Sequence, residues 1–223
     1  MGCNATATIL RGSTLARARV QPIGKQIMLA VTISKVLRPY LASVKGLEYL
    51  PKPPFILAAN HASPLDPALL LAATGLPIRF LAAGHLFQRR WGFMRLYNEL
   101  IIRRLGQAIP TGPGSIDRSL KVLASGGIVG IFPEGDIHPA LNQHRLHTGV
   151  VFIAQQARVP IVPVHIEGSE HIWKFAETLG PWRLRSVRMT IGKPITPPEK
   201  PLTQDTAASF VTMVMKSIAT LRP

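Results

Sequence analysis

Phe55-Ile56-Leu57-Ala58-Ala59-Asn60-His61-Ala62-Ser63-Pro64-Leu65-Asp66 carries more information than any other stretch of this chain. Its first five residues are apolar and read as a short buried strand. Ser63 and Pro64 are a good pair for starting a helix, and Ala68-Leu69-Leu70-Leu71-Ala72-Ala73 continues as one that stops near Gly75. His61 therefore stands where a strand gives way to a helix, held by a rigid scaffold yet open to solvent or substrate. An imidazole can take a proton from an alcohol and return one. It does so best when a carboxylate fixes its tautomer and steadies the imidazolium, a role open to Asp66. Asp66 also has a purely structural reading. Behind Ser63 as cap and Pro64 in the first helical position, it would be the third helical residue, where an acid stabilises the helix. On spacing alone the structural reading comes first, because short motifs often match by chance.

Further along, short apolar runs alternate with helical stretches. The pattern predicts strands over 54–59, 78–83, 107–109, 127–132, 161–167 and 185–191, and helices over 64–74, 87–102, 115–125, 149–157 and 204–221. Such alternation predicts an α/β fold, a mostly parallel mixed sheet flanked by helices. In open sheets of this kind, sites form beyond the carboxyl ends of strands. Ile128-Val129-Gly130-Ile131-Phe132 reads as a buried strand and runs directly into Pro133-Glu134-Gly135. Taken alone, proline and glycine after a strand usually mark just a turn. Glu134 either binds a hydroxyl of a substrate or only caps that turn. Both His61 and Glu134 fall just past predicted strand ends, which is independent support for a shared site.

In combination, the two junctions resemble the glycerolipid acyltransferases, the 1-acylglycerol-3-phosphate acyltransferase family in particular. Asn60-His61 through Asp66 is similar to that family's catalytic His-four-residues-Asp block, and Phe132-Pro133-Glu134-Gly135 to its acceptor-binding block. Val159-Pro160-Ile161-Val162-Pro163-Val164 resembles its later proline-containing strand. Val187–Ile195, with Gly192-Lys193-Pro194-Ile195, resembles the strand and turn that often follow. The similarity spans roughly residues 45 to 200, and its first two blocks are the specific ones. It implies His61 as general base, Asp66 as its orienting acid, and Pro133, Glu134 and Gly135 in the acceptor site. It also implies acyl-CoA or acyl carrier protein as thioester co-substrate, a lysolipid acceptor, and no metal or bound cofactor.

The chain departs from that family at the residues associated with the acceptor's phosphate. An arginine usually follows the Ile-Pro segment, but Ile109-Pro110 leads into Thr111-Gly112-Pro113-Gly114, and the first arginine is Arg118. The family often places Thr-Arg after Pro-Glu-Gly, where this chain has Asp136-Ile137. Arg103, Arg104, Arg118, Arg145, His138 and His144 remain as basic residues to fill that role, with Arg118 and Arg145 the first candidates. A lysolipid with another headgroup fits these departures equally well.

Composition bounds the rest. The 223 residues suffice for one domain with an N-terminal extension, here divided as 1–45 and 46–223. Hydrophobic residues make up 47% and charged ones 17%, against about 25% charged in an ordinary soluble domain. Mean hydropathy is positive. The excess of charge is 26 − 11 = +15, which calls for a polyanionic partner. Aromatics are only 6%, too few to furnish base-stacking platforms, and no zinc-finger or RNA-recognition spacing occurs. An anionic membrane is therefore expected rather than nucleic acid. Gly24–Val44 has apolar residues at three- and four-residue spacing and predicts an amphipathic helix in the membrane interface. Its uninterrupted apolar stretch is too short to span a bilayer, which takes about 20 apolar residues. The arginines and aromatics from Arg89 to Arg104 read equally as an interfacial patch or as a core-facing helix.

Other chemistries find little footing. His138, His144 and His147 are clustered but match no zinc spacing, and read as solvated loop histidines. Gly-x-Ser-x-Gly, a Walker loop and Gly-x-Gly-x-x-Gly are all missing. The single cysteine, Cys3, excludes an intrachain disulfide framework. Met1-Gly2-Cys3 fits a myristoylation pattern too short to build on, and the N-terminal residues do not read as a secretory signal. The expectation is a peripheral acyltransferase on the cytoplasmic face of a membrane. Its rival is a non-enzymatic basic protein binding anionic membrane or nucleic acid, in which His61 and Asp66 are structural.

Overall fold

The computed structural model describes residues 35, 37–82, 108–135, 137, 146–176 and 185–222, with only the backbone over 173–176. Seven strands form one sheet: β1 (Leu41–Lys45), β2 (Phe55–Ala59), β3 (Ile78–Ala82), β4 (Ala108–Pro110), β5 (Ile128–Ile131), β6 (Ile161–Glu167) and β7 (Val187–Ile191). The helices are α1 (Asp66–Thr74), α2 (Ser115–Ala124), α3 (Gly149–Ala157), α4 (Ser169–Ala176) and α5 (Gln204–Thr220). The strand order is β1-β7-β6-β2-β5-β3-β4. Every neighbouring pair is parallel except β6 with β7. The expected α/β architecture with a mostly parallel mixed sheet is what forms.

β2 lies at the centre, and all five of its residues are fully buried. That is why it reads as a continuous apolar run and not as an alternating one. Phe55, Leu57 and Ala59 pack on one face with α1, while Ile56 and Ala58 pack on the other with α2, α3 and α5. Burying side chains of the Leu, Ile or Phe class contributes about 1.5–3 kcal/mol each, so the centre of the sheet is its most firmly held part. Element ends follow local rules. α1 stops at Gly75, whose φ of 68° is left-handed and whose N–H bonds the Leu71 carbonyl at 2.9 Å. α5 starts at Thr203, which exchanges hydrogen bonds with Thr206 in a reciprocal cap.

The connections decide where a site can form. β2 leads through α1, on one face, to β3. Its neighbour β5 leads through α3, on the opposite face, to β6. The chain thus leaves adjacent strands in opposite directions, and a crevice opens beyond their carboxyl ends. His61 follows β2 and Glu134 follows β5, so both stand at this crevice.

The sequence reading needs correction at the N-terminal side. Gly24–Val44 is expected to form one helix; instead Leu41–Lys45 form β1, paired in parallel with β7. Arg38-Pro39 breaks the helical period, and Arg38–Tyr40 forms a single 3-10 turn before the strand. The sheet therefore includes five residues that had been assigned to the N-terminal segment. α4 had not been anticipated. Residues 24–34 of the expected helix, the expected helix 87–102 and the patch from Arg89 to Arg104 lie outside the described residues.

Candidate active site

The loop from Asn60 to Asp66 folds back on its own last residue. Asp66 is fully buried, and its Oδ2 accepts the main-chain N–H groups of Ala62 and Ser63, both at 2.8 Å. The same oxygen lies 2.9 Å from Nδ1 of His61. An oxygen that already accepts two main-chain N–H groups takes its third bond as an acceptor too, so the proton sits on Nδ1 of His61. Nε2, which no described residue engages, is left with its lone pair. His61 keeps 15% of its side chain exposed, enough to meet a substrate.

The capping expectation for Asp66 is met in its bonds, though α1 begins later than expected, at Asp66 itself after Leu65. The carboxylate accepts the N–H of Ser63, three residues back, as an acid behind a serine cap does, and it holds His61 as well. Ser63 does contribute locally: its hydroxyl accepts the N–H of Leu65 at 3.2 Å, and its carbonyl accepts that of Asp66 at 3.1 Å.

Two further contacts hold the histidine, and neither was read from the sequence. Asn60 is buried, and its side-chain amide bonds both the carbonyl and the N–H of Ile166, each at 2.8 Å. It pins the end of β2 to the end of β6. Asn60→Ala would leave both main-chain groups unpaired in a buried place, so it is expected to destabilise the fold by roughly 2–3 kcal/mol. A shifted midpoint with unchanged slope in urea unfolding checks this. On the other side, the His61 ring stacks on Phe132, with centroids 4.1 Å apart and planes at 16°. Phe132 in turn lies 5.7 Å from Phe80 at 14°. Phe80 rests against Gly130, where a Cβ would collide with its ring.

Glu134 is reached from β5 through a tight turn in which the N–H of Gly135 bonds the carbonyl of Phe132 at 3.0 Å. The carboxyl is buried, 7% exposed, and its Oε1 has no hydrogen-bond partner. Desolvation by burial pushes its pKa up to about 7; the main-chain N–H and the charge of His61 pull it down, and the charge of Asp66 pushes it up. The sign for stability follows. The folded state favours the protonated form, so Glu134's contribution is full below the usual value of 4.5 and is lost as pH rises towards about 7. Glu134→Gln cannot ionise. Its thermal midpoint is expected to gain on the wild type between pH 5 and pH 8, and equal midpoints at pH 8 would contradict this reading. Near neutrality a fraction of Glu134 carries a proton and can donate it to an oxygen.

His61, Asp66, Pro133, Glu134 and Gly135 thus come together at one crevice. Arg118 bonds to none of these residues. It is exposed, and its guanidinium Nη2 donates to the carbonyls of Pro110 at 2.7 Å and Pro113 at 3.2 Å, tying the loop after β4. β3 lies between β4 and β5. Arg145, His138 and His144 lie outside the described residues. Among the described residues no cluster of three or more His, Cys, Asp or Glu could hold a metal ion.

Comparison with known proteins gives the family. The profile of the family described as Acyltransferase matches residues 42–167, more than half of the chain. The chain belongs to the acyltransferase family. Among its relatives is the 1-acyl-sn-glycerol-3-phosphate acyltransferase of Bacillus subtilis, 33% identical over 118 residues, which are 51% of this chain and 56% of that protein. A probable 1-acyl-sn-glycerol-3-phosphate acyltransferase of Mycoplasma pneumoniae is 28% identical over 152 residues, 65% of this chain and 56% of that protein. The matches span just over half the length of these curated relatives. The crystal structure of the 1-acyl-sn-glycerophosphate (LPA) acyltransferase PlsC from Thermotoga maritima superposes with a TM-score of 0.63 at 24% identity, covering 89% of this chain and 79% of that one. That likeness speaks for the fold. The family's profile covers both β2 with His61 and β5 with Glu134, the two strands that frame the crevice.

Proposed function

We propose that this acyltransferase moves a fatty acyl group from acyl-CoA or acyl carrier protein to the free hydroxyl of a lysophosphatidate-type acceptor. The observation that carries the proposal is the Nδ1-to-Oδ2 bond of 2.9 Å between His61 and a fully buried Asp66 at the crevice. The names of the relatives supply the acceptor class. Nε2 of His61 takes the proton of the acceptor hydroxyl as its oxygen attacks the thioester carbonyl carbon. Asp66 holds the ring and balances the imidazolium that forms. The tetrahedral intermediate then collapses, the carbon–sulfur bond breaks, and the departing thiolate takes the proton back from Nε2. One ester forms and one thiol is released. Glu134, with its unpartnered Oε1, hydrogen-bonds the acceptor hydroxyl and aligns it for attack. The test supplies acyl-CoA or acyl carrier protein with a panel of lysolipids and follows free thiol. Thiol release that needs both donor and lysophosphatidate is expected; no release with any pair would end the proposal.

We also propose peripheral docking on the cytoplasmic face of an anionic membrane. The net charge of +15 supports it, since each lysine or arginine near such a surface contributes about 1 kcal/mol. Among the described residues no helix is long and apolar enough to cross a membrane. Because β1 belongs to the sheet, the informative truncation removes residues 1–34 and spares Leu41–Lys45. The full chain is expected to float with anionic vesicles and to be partly released by salt, and the truncated chain to float less. Equal flotation would place the docking surface elsewhere.

A further inference from the structure

We propose that His147 determines acceptor specificity, by donating a hydrogen bond from its imidazole to the phosphate monoester of the acceptor. The proposal deepens the acyltransferase reading and rests on it for the identity of the acceptor. Its basis is the turn that carries Glu134. The bond from Gly135 N–H to the Phe132 carbonyl, 3.0 Å, makes residues 132–135 a β-turn, which brings its first and last Cα within about 7 Å. His61 stacks on the first of these residues. His147 covers the last: a Cβ at Gly135 would collide with its Nε2 and Cδ2. The main-chain N–H of His147 donates to the Pro133 carbonyl at 2.8 Å, which fixes the ring's attachment to the same turn. One imidazole therefore packs on the ring of the turn's first residue and another on the bare Cα of its last, and the turn between carries a buried carboxyl with an orphaned oxygen.

That arrangement suits a molecule whose free hydroxyl and phosphate sit on adjacent carbons. With the hydroxyl at His61 and Glu134, the phosphate reaches towards His147. His147 is exposed and so accessible to such a ligand. An imidazole offers one N–H when neutral and two when charged. α3 begins immediately after, at Gly149, with Thr148 making no side-chain cap, so the positive end of its dipole adds to the attraction for an anion. The alternative cation, Arg118, holds the loop after β4 through its Nη2. Gly135 is exposed and left-handed at φ 75°, and its missing side chain is what lets the second imidazole come this close.

The experiment measures binding and turnover with the full chain. In calorimetric titration, sn-glycerol 3-phosphate is expected to bind, and inorganic phosphate, which has no hydroxyl for His61 and Glu134, to bind more weakly. His147→Ala should weaken sn-glycerol 3-phosphate by about tenfold or more, and His147→Lys should restore much of it. In turnover, His147→Ala should raise KM for lysophosphatidate about tenfold with a far smaller change in kcat, and leave KM for a neutral monoacylglycerol unmoved. An unchanged thermal midpoint confirms that the fold is intact. Binding and KM that His147→Ala does not alter would overturn the proposal. So would an equal rise in KM for the neutral acceptor, which would make the role structural, or equal affinity for inorganic phosphate, which would make the site one for free phosphate. Binding through His147 without any thioester turnover would uphold the phosphate site and overturn acyl transfer instead.

Discussion

His61→Ala is expected to slow acyl transfer by about 10²–10⁴-fold, the usual contribution of a positioned general base, while the protein stays folded. The ring is partly exposed and ends a loop, so its removal opens little core. What it takes away is an imidazole nitrogen, Nε2, that Asp66 leaves free by holding Nδ1. Thiol release in the presence of lysophosphatidate is the measurement, with circular dichroism to confirm the fold. A folded variant with wild-type turnover would refute the mechanism at its first step.

Asp66→Asn should be nearly as damaging, for two separable reasons. An amide cannot balance the imidazolium, and replacing a carboxylate that orients a histidine lowers turnover on the order of 10²–10⁴-fold. The amide also brings a donor into a fully buried place where Oδ1 has no partner, so some stability is lost as well. The two residues act as one unit, and the double variant tells this apart from two independent effects. His61→Ala with Asp66→Asn should be no slower than His61→Ala alone. Effects that multiply would mean that Asp66 works on the reaction by a route other than His61.

The elements that sequence reading located are those with strong periodicity and clear punctuation. β2 and β5 are unbroken apolar runs, β6 is mostly apolar, and α5 is long and amphipathic, so their limits fell within a residue or two. β1 was absorbed into the preceding segment because Leu41 and Val44 continue its three- and four-residue spacing, and a five-residue strand at a sheet edge is too short to impose its own period. Pro39 was the available signal. α4 follows Gly168 as a short mixed segment with no sustained pattern. The His61–Asp66 pair was legible because its members are close in sequence and local geometry makes them meet. The roles of Asn60, Phe132 and His147 depend on which strands and loops become neighbours: Asn60 meets Ile166 from the far side of the chain, and His147 meets Gly135 across the residues between. No local pattern encodes such meetings.

The bare Cα of Gly130 has an effect beyond packing. It seats Phe80, which seats Phe132, which seats the imidazole. Three aromatic rings are stacked like plates on a single flat spot in the middle of a buried strand. A methyl group added there would have no room to be absorbed, because the strand is buried on both faces, and the displacement would travel outward through the rings to the imidazole. The seat of His61 is therefore set from inside the protein. On the mechanism proposed above, a position in the core fixes the alignment of the proton acceptor, and a change there would tune the reaction without altering any group at the crevice.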